Sequence, residues 1–324
     1  MNVSEKPKNR KKKQRNAVLD WLGYAAMRAG LFILFLFPLR SNLKFACLLG
    51  SVMWRVYKRG RLRAMENLKA SFPDKDTAWC EQVGRRSFQQ LAMLVIDIFY
   101  TPRIVRKDNW RDYCAPRNIE RLKWLMQEKR GLILLTAHYA NFEIAGYMLG
   151  LFGFNIYSIA RPLDNPYISR YLYGIRQRKG QKIIDKKGAT EQIMRIMHEG
   201  ATLGFIADQD AGRKGVFVDF FGRKASTYKS IGLLAMQYNL PIGIGCTRRV
   251  GDRFFFELEC TRLILPEEWA DKPDPLAWIT QQYTKAIEDF IRQDPTQYWW
   301  LHRRWKHRPK EERQKTDTIE KGQA

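Results

Sequence analysis

The sequence predicts an α/β protein: a mixed, mostly parallel sheet flanked by helices, with an N-terminal membrane-associated helical segment. Three observations carry that reading. Short aliphatic runs of strand type alternate with helical stretches between Gly131 and Cys260. An apolar region spans Ala17 to Pro38 directly after a basic run. The 324 residues carry a net charge of +24 and ten Trp, which suits a folded chain meeting an anionic, partly apolar phase. The implied organisation is a basic, disordered start over residues 1–16, a membrane-associated segment over 17–72, a catalytic domain over 73–309 and a disordered tail over 310–324.

The elements follow in order. Lys6 to Arg15 is basic, KPKNRKKKQR. The apolar region after it is long enough for a hydrocarbon layer, which needs about 20 residues. Asp20, Arg28 and Pro38 make it a poor uniform span, and it lacks the small-residue cleavage site of a secretory signal. Basic residues lie on both flanks, so the positive-inside asymmetry of a single span is missing. A helix dipping into one leaflet, or a short hairpin with both flanks on the cytoplasmic face, is as good a reading as a span.

Met53 to Phe72 reads as helix stopped by Pro73, and Asp76 to Tyr100 as another ending before Pro102. Ile119 to Lys129 is a short helix leading to the first strand at Gly131. Asn141 is placed to cap a helix over Phe142 to Leu149. Strands are expected at Asn155–Ala160, Lys182–Ile184, Thr202–Ala207, Ile242–Thr247 and Phe254–Cys260. Helices are expected at Ile168–Lys179, Thr190–Glu199, Lys229–Tyr238 and Pro275–Arg292. VFVDFFG at Val216–Gly222 is a β-like connection.

Chemistry concentrates in GLILLTAHYANFE, Gly131 to Glu143. An apolar strand ends at Thr136, and His138 and Glu143 follow. Strand ends aim side chains into a crevice, and a carboxylate-held His removes protons near neutral pH. With His138 before a helix and Glu143 in its first turn, the chain could bend the two together. His307 and Glu312 repeat the spacing without a preceding strand, with Pro309 between them, and read as solvated tail.

Other motifs keep two readings each. Arg161 in RPLDNP is either part of a surface turn, with Asp164 and Asn165 as its turn residues, or a bidentate phosphate ligand. Asp208 and Asp210 could order a loop, hold a metal or act as acid and base. Tyr298 to Lys306, YWWLHRRWK, is either a C-terminal helix packing rings on the core or an interfacial, phosphate-facing surface. The five cysteines form no C-x-x-C pair, which argues for a reducing compartment and against a thiolate zinc site. Nucleic-acid-binding signatures are lacking, as are the G-x-S-x-G, Walker and G-x-G-x-x-G motifs.

Taken in series, the N-terminal apolar segment, H-x4-E at His138 and Glu143, RP-x-D-NP at Arg161–Pro166, DQD at Asp208–Asp210, VFVDFFG and QYWWLHRRWK resemble the lipid A biosynthesis late acyltransferases. The resemblance covers nearly the whole chain and departs at Ser226–Ser230, where Lys229 stands among expected small neutral residues. It implies transfer of a fatty acyl chain from acyl carrier protein to a hydroxyl of a lipid A precursor, at the cytoplasmic face of the inner membrane. It implies catalysis by His138 as base with Glu143 orienting it, substrate contacts by Arg161, Asn165, Asp208 and Asp210, and no metal or cofactor beyond the acyl carrier co-substrate. The implied partners are membrane lipid, acyl carrier protein and a phosphorylated glycolipid acceptor. A lysophospholipid or another glycolipid acceptor would keep the same chemistry. An inactive membrane scaffold is disfavoured by the intact His138 and Glu143.

Overall fold

The computed structural model describes residues 16–160, 162–185, 189–310 and 312. The chain enters through helix α1 (Ala17–Phe35), capped by the Asn16 side chain. Pro38 sets the turn into α2 (Leu39–Val56), and α3 (Lys58–Ser71) follows. Asp76 caps the long α4 (Thr77–Ile104), which tolerates Pro102 in its last turn. The expected helix from Met53 is thus two helices, broken at Tyr57, and its first four residues belong to α2.

The polar residues that interrupt the N-terminal apolar region have a tertiary explanation. Asp20, Tyr24 and Arg28 recur every four residues and so share one face of α1. That face meets α7 (Pro166–Gln177). Tyr24 packs on Tyr167 and Tyr171, Arg28 lies 5.1 Å over the Tyr171 ring, and the Asp20 carbonyl accepts from Asn165 Nδ2 at 2.7 Å. The rest of α1 leaves Val18, Leu19, Phe32, Ile33 and Leu36 exposed. The outer face of α2 does the same with Phe45, Leu48, Val52 and Val56. Among the described residues α1 is the one helix long and apolar enough to cross a membrane.

The central sheet comprises β1 (Cys114–Arg117), β2 (Leu132–Thr136), β3 (Ile156–Ala160), β4 (Lys182–Asp185), β5 (Thr202–Ile206), β8 (Ile242–Arg249) and β9 (Phe256–Ile264). Its order is β1-β9-β8-β2-β5-β3-β4, parallel throughout except between β8 and β9. The expected mixed, mostly parallel sheet is therefore present, with β1 as a strand the sequence reading missed. A separate hairpin pairs β6 (Val216–Phe220) with β7 (Arg223–Thr227). The helices α5 (Glu120–Gln127), α6 (Phe142–Leu151), α8 (Ala189–His198), α9 (Lys229–Tyr238) and α10 (Pro275–Gln293) complete the fold.

One core joins the inner strands to α3, α9, α10 and the C-terminal aromatics, and a second packs α2, α4 and α6 against β1 and β9. Between them Arg249 and Asp97, both buried, form an ion pair, and Gln90 and the carbonyl of Arg253 take up the remaining guanidinium donors.

Candidate active site

His138 and Asp208 are brought together by strand register. Strands β2 and β5 are parallel neighbours with Thr136 opposite Ile206, so two residues further on His138 stands beside Asp208. The Ala207 amide donates to the Thr136 carbonyl at 2.9 Å and extends the ladder past the strand ends. Both side chains then leave the carboxyl edge of the sheet, where α/β folds place their reactive groups.

Asp208 is 2% exposed and His138 8%. His138 Nδ1 lies 2.7 Å from Asp208 Oδ1, and the His138 amide donates to Oδ2 at 3.1 Å. With Nδ1 engaged, Nε2 is the ring nitrogen left for a reacting hydroxyl. Burial alone would raise the Asp208 carboxyl, but the adjoining His138 imidazole and amide hold it below the usual carboxylate range.

The turn that presents the imidazole is fixed from outside. Ala140 takes a positive φ of 41°, and its amide donates to the Gln297 carbonyl at 2.8 Å. The Trp299 amide donates to the His138 carbonyl at 3.2 Å. Residues 297–299 thus form a strap across the turn that carries His138. Three rings pack around the imidazole: Phe142 at 5.1 Å, Trp299 at 4.9 Å and His302 at 4.5 Å between centroids.

Glu143 does not meet the imidazole as the sequence reading expected. Asn141 does cap α6, through its Oδ1 and the Ile144 amide at 3.0 Å. The first turn that follows delivers Glu143 to Arg176 of α7, which donates from Nε to Oε2 at 2.8 Å and from a terminal nitrogen to Oε1. The bidentate pair uses both carboxylate oxygens. Sequence proximity suggested Glu143, whereas the sheet supplies a carboxylate from 70 residues away.

The other predicted site residues fall as follows. Asn165 caps α7 through the Tyr167 and Ile168 amides and ties it to α1, so both ends of its amide are occupied. Asp210 holds His307, with Nδ1 at 2.7 Å and the backbone amide at 3.3 Å, and also accepts from the Gly212 amide. His307 is therefore half-buried and anchored rather than part of a solvated tail, a correction to the sequence reading. Glu312 lies 3.6 Å from Arg308 instead. Arg161 lies outside the described residues.

YWWLHRRWK packs its rings on the core, as one of its two readings expected, but not as a helix. Its chain is turn-rich rather than helical, and Tyr298, Trp300, Arg304 and Trp305 are buried. Arg304 donates to the carbonyls of Ser226 at 2.5 Å and Gln209 at 3.3 Å, and to Thr227 Oγ1 at 2.6 Å. It clamps the DQD turn from beneath. Lys229, which departs from the expected pattern, is exposed at the start of α9.

His302 is the residue of this site that the sequence reading passed over. Its signal was its place in that aromatic-basic segment, but its partners are visible only in three dimensions. Burial pushes its imidazole down to about 4, against the pull of the Asp208 carboxylate. The unfolded chain therefore binds the proton first, near pH 6.5, and stability falls as the pH is lowered from there through about 4. Thermal melts across this window should show a falling midpoint, with a shallower fall in His302→Asn. Equal slopes would remove His302 from this role.

A cavity of about 690 Å³ adjoins the dyad. Phe142, which packs on His138, is also in its wall, as are Glu143 and Arg176. The remainder is mainly aliphatic, including Leu134, Ile206 and Leu258 from the sheet and Leu122 and Met126 from α5. Space is left because Gly204, Gly243 and Gly245 face it from the strands. A Cβ on Gly243 would come within 2.7 Å of Leu122 and 3.0 Å of Leu134.

A family model described as bacterial lipid A biosynthesis acyltransferase matches residues 6–307. The chain is 26% identical over 299 residues to the lipid A biosynthesis lauroyltransferase of Escherichia coli K12, covering 90% of this chain and 92% of that one. It is 28% identical over 303 residues to a lipid A biosynthesis acyltransferase of Haemophilus influenzae, with the same coverage. It is 26% identical over 268 residues to the palmitoleoyltransferase of E. coli K12, covering 81% and 83%.

Proposed function

The chain belongs to the bacterial lipid A biosynthesis acyltransferase family, and from that premise we propose that it moves a fatty acyl group from acyl carrier protein to a hydroxyl of a lipid A precursor. The observation that supports this best is the buried His138–Asp208 dyad, one ring of Phe142 away from a mainly aliphatic cavity. Its volume lies within the roughly 300–1,000 Å³ of ordinary ligand sites.

In this reading His138 Nε2 takes the proton of the acceptor hydroxyl as its oxygen attacks the thioester carbonyl. Asp208 accepts from Nδ1, keeps Nε2 unprotonated beforehand and stabilises the imidazolium afterwards. The tetrahedral oxyanion collapses, the C–S bond breaks, and the imidazolium returns its proton to the leaving thiolate. No acyl-enzyme forms. The acyl chain occupies the cavity, with the ring of Phe142 between cavity and base. Glu143 holds Arg176 in the wall, and Arg161 is assigned to phosphate or to the developing oxyanion. Asp210 and Asn165 serve as anchors of the surrounding loops rather than as substrate ligands.

The exposed apolar faces of α1 and α2, together with the net charge of +24, support attachment to the cytoplasmic face of the inner membrane. As far as Arg28, α1 is tied to α7, which carries Arg170, Arg176 and Arg178 at or near it. Charged residues are costly in hydrocarbon, so the embedded part is α1 beyond Arg28 with the outer face of α2, and the attachment is monotopic.

Mass spectrometry of membrane lipids with and without the protein tests the assignment. A gain of one fatty acyl group on a lipid A precursor is expected. A gain on a lysophospholipid, or no gain with acyl carrier donors, would reject it. Gly204 provides a finer test. Its nearest neighbour in the cavity is Ser158 Oγ, 3.2 Å from a Cβ built on it. Gly204→Val should narrow the cavity and lower kcat/KM for the preferred donor about tenfold relative to a donor two carbons shorter. An unchanged donor ratio would remove the acyl chain from this cavity.

A further inference from the structure

We propose that His138, Asp208 and His302 together form a binding site for a divalent transition metal, Zn²⁺ foremost, whose occupancy shuts down the general base. One ligand atom from each residue lies within 4.8 Å of the others. His138 Nδ1 stands 2.7 Å from Asp208 Oδ1, and His302 Nδ1 stands 3.9 Å from Asp208 Oδ2. Two imidazoles and one carboxylate, with a fourth position open, form a common donor set of zinc sites.

The unsatisfied group here is His302 Nδ1. It is buried and has no hydrogen-bond partner, although buried polar atoms of this kind normally find one. A cation between it and Asp208 would satisfy it. Tetrahedral zinc, with bonds of about 2.0–2.1 Å, sets neighbouring ligand atoms about 3.3 Å apart. The 2.7 Å contact of His138 with Oδ1 would open by about 0.6 Å, and the ligand pairs that lie further apart, all within 4.8 Å, would close by at most about 1.5 Å.

The surroundings support a defined site. The carbonyls of Trp300 and His302 are held by Asn67 Nδ2 at 2.7 and 3.0 Å, which fixes the backbone carrying His302. Trp299 packs on both imidazoles. Rigid outer contacts of this kind orient metal ligands. A single carboxylate makes the site a poor one for Mg²⁺ or Ca²⁺, which demand six or more oxygens, and a good one for borderline metals that accept imidazole.

Binding at Nδ1 displaces the proton that His138 shares with Asp208, and the neutral imidazole carries it on Nε2 instead. Nε2 is then a donor and no longer accepts the proton of a hydroxyl. Only this inhibitory consequence rests on the proposed acyl transfer; the binding itself does not.

The experiment uses the full-length, untagged protein in detergent. It is equilibrated with zinc chloride, dialysed against metal-free buffer and assayed for metal. One zinc per chain is expected, together with the intense visible absorption of four-coordinate Co²⁺ when cobalt replaces it. His302→Asn, which keeps all five cysteines, should lose the stoichiometric metal. The absence of bound zinc in the unaltered chain overturns the proposal, as does full retention in His302→Asn. Should the variant fail to fold, the cobalt spectrum of the unaltered chain decides, and a weak six-coordinate spectrum counts against the site. Acyl transfer is then measured with and without zinc. Inhibition reversed by a chelator supports the shutdown, and undiminished transfer by the zinc-loaded protein overturns it. Stoichiometric zinc in a protein that transfers no acyl group under any condition leaves the site standing and rejects the proposed function instead.

Discussion

His138→Ala is expected to lower acyl transfer about 10⁴-fold or more, while the protein still folds and still floats with vesicles. The size of the loss follows from the role. General-base assistance contributes up to about 10⁴-fold, and in triads the His and its partners act as one unit whose loss is not shared out. The fold should survive because the turn is held by backbone bonds to the Gln297 carbonyl and from the Trp299 amide rather than by the imidazole. Some stability will go. Asp208 Oδ1 loses its side-chain partner in a buried place, and an unsatisfied buried acceptor costs roughly 1–3 kcal/mol. A melt should register that cost and vesicle flotation should be unchanged. Transfer within tenfold of the unaltered protein would refute the assignment of the base.

The second large effect belongs to Asp208→Asn, and the split between kcat and KM separates Asp208 from Glu143. The amide keeps the shape but can present an N–H to His138 Nδ1, which favours the tautomer with its proton on Nε2. The comparable change in a Ser-His-Asp triad costs about 10⁴-fold in turnover, and a loss of about 10³–10⁴-fold is expected here. The imidazolium also loses its counter-ion, so the loss should fall on kcat with KM little changed. Glu143→Gln works differently. It breaks the pair with Arg176 and leaves that guanidinium in the cavity wall without its carboxylate. Transfer should fall through a raised KM for misplaced substrate, with kcat less affected. The opposite pattern, a lost kcat in Glu143→Gln and a raised KM alone in Asp208→Asn, would restore Glu143 as the orienting residue.

The contrast between these two carboxylates shows what could be read from a linear chain. The α/β class, most strands and helices, and the choice of His138 followed from local patterns: an aliphatic run that stops, a histidine at the stop, and a capped helix after it. Those signals lie within a dozen residues and depend on backbone preference and side-chain period alone. The motifs in series were enough to point to the family that the comparison then showed. The interruptions at Asp20 and Arg28 were visible as well, but their meaning was not, because it depends on the face of α7 they meet.

What the tertiary structure alone decided is which groups touch His138. Parallel pairing of β2 with β5 joins residues 70 apart in sequence, and no local period encodes which strand lies next to which. The same holds for His302, carried from more than 160 residues away by a strap that bonds to the turn of His138. Local order along a chain is governed by sterics and hydrogen bonding between near neighbours. The partner of a side chain at a sheet edge is governed by the order in which whole strands pack, and that order is settled by burial across the entire molecule.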